Sequence, residues 1–104
     1  MRNGINEFEI SILVRADLEA DEISEYYESI SEGLGTKFFN EFQDYVETLK
    51  TFPFFEEKYN IVRKLPLKNF PYTIHFTVDE KEKLVYIQAV TCDYQDPRTT
   101  KIKD

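Results

Sequence analysis

Apolar and polar positions along the chain divide it into a short strand, two helices and three further strands. Phe8–Val14 alternates loosely, with Phe8, Ile10 and Ile12 on one side and Glu9, Ser11 and Leu13 on the other. That is the mark of a half-buried strand. Ala16, Ala20, Ile23, Tyr27 and Ile30 then recur at three- and four-residue spacing, which makes one apolar helix stripe. Asp17 is placed to act as N-cap, with Glu19, Asp21 and Glu22 in the first turns where carboxylates favour the helix dipole. Gly33 suits a left-handed cap and stops this helix. A second helix follows at once. Leu34, Phe38, Phe42, Tyr45, Leu49 and Phe52 keep its period, Phe39 and Val46 widen the stripe, and Pro53 ends it. So short a connection predicts an antiparallel helix hairpin.

After a loop at Phe54–Lys58, Tyr59–Leu65 reads as the second strand, with Pro66 at its end because proline cannot donate to a ladder. Tyr72–Val78 has the clearest period of two. Tyr72, Ile74, Phe76 and Val78 are apolar, while Thr73, His75 and Thr77 are polar. Asp79–Lys83 is a charged hairpin loop, and Leu84–Cys92 is the last strand. There Val85, Ile87 and Ala89 are expected on one face, with Tyr86, Gln88, Val90 and Cys92 on the other. The prediction is an α+β domain over 1–104, in the order β-α-α-β-β-β. The helix hairpin packs on one face of an antiparallel-rich sheet, and 93–104 forms an irregular tail. The face carrying Thr73, His75 and Gln88 is left open. The position of the first strand in the sheet is undetermined.

Charge sharpens this picture. The chain has 104 residues and a net charge of −7. Residues 17–57 hold twelve carboxylates against Lys37 and Lys50, a local sum of −10. The plainer reading of those carboxylates is a solvated outer face on the helices. Residues 58–78 contain no acid and carry Lys58, Arg63, Lys64 and Lys68. That balance argues against general affinity for nucleic acid, which is largely a count of cations, and leaves room for one basic face. The run is equally well read as a binding patch or as strand-edge lysines that discourage aggregation. A single cysteine, Cys92, excludes an intramolecular disulfide and a multi-cysteine zinc site. The apolar stretch Ile10–Val14 is too short for a signal core or a membrane span, so the expected location is cytoplasmic.

Cleaving RNA through its 2′-hydroxyl needs a base, an acid and positive charge at the phosphate. The residues at hand are Arg63 with Lys64 or Lys68 for phosphate, His75 or Glu57 as base, and Tyr94 as acid or stacking group. His75 is the sole histidine. With no partner at diagnostic spacing, an ordinary cross-strand surface residue is favoured over a proton-transfer group. Cys92 is read as a packed strand-end thiol, and Tyr27 as a core aromatic with Tyr26 at its edge. No metal site and no cofactor are expected.

Several motifs in order resemble the RelE/ParE toxins of bacterial toxin–antitoxin systems over about residues 8–97. They are Ala16, Tyr26-Tyr27-Glu28, Gly33-Leu34-Gly35 with Lys37-Phe38, and Leu49 with Pro53. The series continues through Arg63, Leu67, Phe70-Pro71-Tyr72, Ile74 and Phe76, then Val85, Ile87, Ala89-Val90 and Asp96-Pro97. The pattern is nearer to the ParE branch. There are departures. Glu19-Ala20 stands where the family often has Asp-Leu, Cys92 and Gln95 stand where it often has His and Arg, and its C-terminal Trp is absent. The loss of those polar and basic groups weakens the case for RNA cleavage. The resemblance implies a growth-inhibiting toxin neutralised by a cognate antitoxin. In the ParE branch the target is DNA gyrase, engaged by binding. The alternatives it leaves are a ribosome-dependent mRNA endonuclease of RelE type and a binding module that has lost toxicity. Of the chemical candidates, only Arg63 sits where the resemblance supports a role. The basic run Lys58–Lys68 would then also be a place for an acidic antitoxin segment to dock.

Overall fold

The computed structural model describes residues 7–53, 57–59 and 62–93, the middle segment by its backbone alone. Strand β1 is Glu9–Ile12, helix α1 is Val14–Ile30 and helix α2 is Leu34–Thr48. The remaining strands are β2 (Glu57–Tyr59), β3 (Val62–Pro66), β4 (Tyr72–Asp79) and β5 (Leu84–Cys92). The chain thus adopts the expected β-α-α-β-β-β order with one strand more: Tyr59, expected to begin the second strand, instead ends a short β2 with Glu57 and Lys58 of the predicted loop, and β3 begins at Val62. Pro66 closes β3 as expected, while Phe54 and Phe55 lie outside the described residues.

The first helix starts earlier than Asp17. Leu13 is extended, at φ −69° and ψ 154°, and its carbonyl accepts from the Asp17 N–H at 3.0 Å. Leu13 is therefore the cap, and Asp17 lies in the first turn. Its carboxylate still meets the positive end of the dipole there. Ala16 and Ala20 are buried as the stripe predicts, but Ile30 and Phe52, at the far ends of the two stripes, are exposed.

The helix–helix turn is held by one side chain. Glu28 accepts from the N–H groups of Gly33 (2.8 Å) and Gly35 (2.9 Å), two donors left open at the start of α2. Those bonds hold the Glu28 carboxyl below its ordinary range, the Gly33 bond contributing most. Gly33 is left-handed at φ +87°, and Ser24 Oγ donates to the Gly35 carbonyl at 3.0 Å.

The sheet order is β1-β5-β4-β3-β2. β1 runs parallel to β5, and the other pairs are antiparallel. Phe38, Phe76, Leu49, Ile74, Ile87 and Val85 are fully buried between helices and sheet. Phe38 packs edge-on to Phe70 and Tyr72, with ring centroids 5.3 and 5.7 Å away, which ties α2 to the start of β4.

The last strand departs from simple alternation. His75 pairs with Ala89 but Phe76 pairs with Ile87, so Gln88 is an extra residue, a β-bulge. Every side chain beyond it changes face. Val90, expected outward, is 3% exposed and belongs to the core, opposite Ile74. Ala89, expected inward with Val85 and Ile87, is buried but stands apart from that core cluster. Thr91 joins the open face opposite Thr73.

Candidate functional site

The open face of the sheet is built from the odd positions of β4 and their cross-strand neighbours. Lys64 of β3 lies directly opposite His75, and Tyr86 of β5 opposite Thr77. Paired residues in an antiparallel ladder share a face. The bulge brings Thr91 within reach of His75, and its Oγ lies 2.7 Å from His75 Nε2. Gln88 Nε2 donates to Thr77 Oγ at 3.0 Å. Thr73 donates its hydroxyl proton to the Asp93 carboxylate, and the Asp93 N–H donates to the Pro71 carbonyl. Asp93, the first residue of the expected irregular tail, is thus tied to both ends of the Pro71–Thr73 turn.

His75 is half-buried, and this desolvation lowers its pKa, with the neighbouring Lys64 ammonium adding to the effect. Both favour a neutral imidazole. At pH 7 the ring is a hydrogen-bonding group and a weak base, with Lys64 the cation that acts on it most.

Arg63 is placed differently. It lies opposite Phe76, a core residue, so it turns to the helix-side face of the sheet. Arg63 and His75 therefore look away from each other across the sheet, and the sequence-derived pairing of the two in one site is not assembled. Of the four cations singled out, Lys64 shares the His75 face. Lys68 sits in the β3–β4 turn, above a hollow of about 680 Å³ that it lines with Lys37, Glu41 and Tyr45. Lys58 and Glu57 belong to β2, whose side chains are outside the described residues, as are Tyr94 and Gln95. Cys92, expected to be packed, is exposed. Among the described residues, no group of three or more His, Cys, Asp or Glu side chains is arranged to hold a metal ion. No helix among them is long and apolar enough to cross a membrane.

Besides Glu28, two carboxylates that sequence reading assigned to the solvated face hold backbone instead. Glu41 of α2 accepts from the N–H groups of Lys68 (3.0 Å) and Asn69 (2.9 Å) and from Asn69 Nδ2 (2.8 Å). It thereby fixes the turn that carries Lys68 and Phe70. Burial alone would raise its pKa, but the bonds from Asn69 and Lys68 outweigh it and hold the carboxyl below its ordinary range. Glu19 of α1 accepts from the Val90 N–H at 2.8 Å, just past the point where β1 stops pairing with β5. No local motif marks either residue, since both partners are distant in the chain. Thr91 was legible only to a reading that had placed the bulge.

No protein-family model and no curated protein sequence matches the chain. Solved structures do. One is a chain of the chromosomal ParDE TA system from P. aeruginosa, with a TM-score of 0.72 and 18% identity, covering 86% of this chain and 99% of that one. Another is the archaeal RelE-RelB complex from Pyrococcus horikoshii OT3, at 0.52 and 15%, again over 86% and 99%. The isolated E. coli RelE toxin matches at 0.50 and 9%, over 92% and 95%. The helix hairpin, the parallel first strand and the antiparallel strands that follow therefore make up the RelE/ParE toxin fold.

Proposed function

We propose that this chain is the cytoplasmic toxin of a type II toxin–antitoxin pair. It works as one domain, arrests growth by binding a protein target, with DNA gyrase the leading candidate, and is neutralised by a cognate antitoxin. The observation that carries the reading is the likeness to the ParDE chain over nearly that whole chain. Binding is favoured over RNA cleavage because Arg63 and His75 turn to opposite faces and His75 is hydrogen-bonded to Thr91 beside a cation. Lys64 is left as the cation on the His75 face, without the Arg63 guanidinium, the one candidate that the family pattern supports. The basic residues Lys58, Arg63, Lys64 and Lys68 are the proposed contacts for target or antitoxin.

The test is induction of the gene in a bacterial host, with and without its neighbouring antitoxin, followed by separate assays of gyrase supercoiling and messenger integrity. Growth arrest with inhibited gyrase and intact messages is expected. Cut messages would replace this reading with the RelE-type endonuclease, and absence of arrest would leave a non-toxic binding module. Lys64→Glu and Arg63→Glu, on opposite faces, report which side meets the partner. The effective reversal is expected to weaken binding about tenfold, or about 1.4 kcal/mol.

A further inference from the structure

A second surface lies at the opposite edge of the sheet from the basic run. A groove of about 830 Å³ follows the side of β1 that faces away from β5, between that strand and α2. Its floor is apolar, formed by Ile10, Ile12, Phe39, Phe42 and Val46. Ile12 is 40% exposed although it pairs with the core residue Ile87.

Among the described residues, no strand pairs with the side of β1 that faces away from β5. The Glu9 N–H donates to Lys83 O (2.9 Å), and the Leu13 N–H donates to Ile87 O (3.0 Å). In a parallel ladder the bonding residues alternate, so Ile10 and Ile12 direct their N–H and C=O groups away from β5, into the groove. The groove ends where the Phe8 N–H donates to Lys50 O at 2.8 Å.

The rim decides what fits. Among the described residues Glu7, Glu9, Asp17, Asp44 and Glu47 line it against Lys50, which is already ion-paired with Glu47 at 2.8 Å, while Lys83 lies over the Phe8 ring at 4.8 Å. A second copy of the chain would bring the same carboxylates face to face, and an acidic segment would meet the same repulsion.

We propose that this groove receives a cationic segment of a partner protein, with alternating apolar residues, laid beside β1 as an added strand. Its backbone bonds Ile10 and Ile12, every second side chain meets Ile12 and Phe39, and the intervening Lys or Arg residues face the rim. This inference is independent of the toxin reading. It assigns opposite partner chemistries to the two edges of one sheet.

The test uses a synthetic peptide of about nine residues in which lysine and leucine alternate, with both ends blocked; its length matches a long strand. Backbone amide shifts are mapped by NMR, and affinity is read by fluorescence anisotropy. Saturable binding is expected, with shifts centred on Ile10, Ile12 and Phe39, and about tenfold weakening between low and high salt. Glu9→Lys/Asp44→Lys/Glu47→Lys should weaken binding at least about tenfold, whereas Glu22→Lys/Glu25→Lys on the outer face of α1 should change it less than about twofold. Because three reversals along one edge burden the fold, Ile12→Lys is the second variant, and it should also weaken binding. Shifts on another surface, equal loss in the α1 control, equal binding of a leucine–glutamate peptide, or self-association through β1 would each overturn the proposal.

Discussion

Gly33 and Gly35 stand two residues apart in the hairpin turn and are constrained for different reasons. Gly33 occupies a left-handed backbone, and a Cβ there would meet nothing within 4 Å. Gly33→Ala therefore carries only the conformational penalty, about 1 kcal/mol. Gly35 has an ordinary backbone, but a Cβ would lie 2.3 Å from the Ser24 carbonyl oxygen. Relief requires α1 and α2 to move apart, since the obstacle is backbone. Gly35→Ala should cost about 3 kcal/mol, like other overpacked sites. Urea unfolding of the two variants checks the order, and equal losses would contradict it. The sequence marked Gly33 as a left-handed cap because glycine after a polar pair is a local signal. Close approach at Gly35 depends on where the second helix crosses the first, and no local pattern records that.

At the scale of elements, the bulge at Gln88 makes a prediction that runs against intuition. Removing Gln88 leaves His75 opposite Ala89 and Phe76 opposite Ile87, so both faces keep their residues. Removing Tyr86 instead shifts the strand by one and sends core residues outward. The Gln88 deletion should keep a cooperative thermal transition, and the Tyr86 deletion should lose it; circular dichroism melts distinguish them. This is also where the sequence was least legible. Strict alternation placed Val85 and Ile87 correctly, then assigned Ala89 and Val90 to the wrong faces. Both residues are apolar, so nothing in their chemistry exposed the slip. The strand β2 was misread, its Glu57 and Lys58 as loop and its Tyr59 as the start of the next strand, for a related reason. Three residues carry too little pattern to separate from a loop. Helix stripes and the alternation of β4 were legible because each spans several periods. The site was less so, since the opposed directions of Arg63 and His75 follow from ladder register alone.

For the whole molecule, acid titration should proceed in two stages. Burial and Lys64 lower the pKa of His75, so the folded state prefers it neutral. Its contribution is complete above the ordinary value of 6.5 and declines as pH falls below that value. Glu28 and Glu41 have the opposite preference. Their lowered values mean stability is complete above the ordinary 4.5 and is lost as pH falls through the folded values. Stability measured by chemical unfolding from pH 8 to pH 3 should show both declines. His75→Gln should flatten the first and Glu41→Gln the second, and an unchanged profile in either variant would contradict the assignment.

The pairing of β1 with β5 joins segments from nearly opposite ends of the chain. During synthesis, Ile10 and Ile12 emerge from the ribosome long before Val85 and Ile87, their partners in the sheet among the described residues. Early products therefore carry a sticky, unclosed margin, and the finished shape exists only once the final strand is released. Copies that terminate before β5 is complete are expected to remain as substrates for proteolysis.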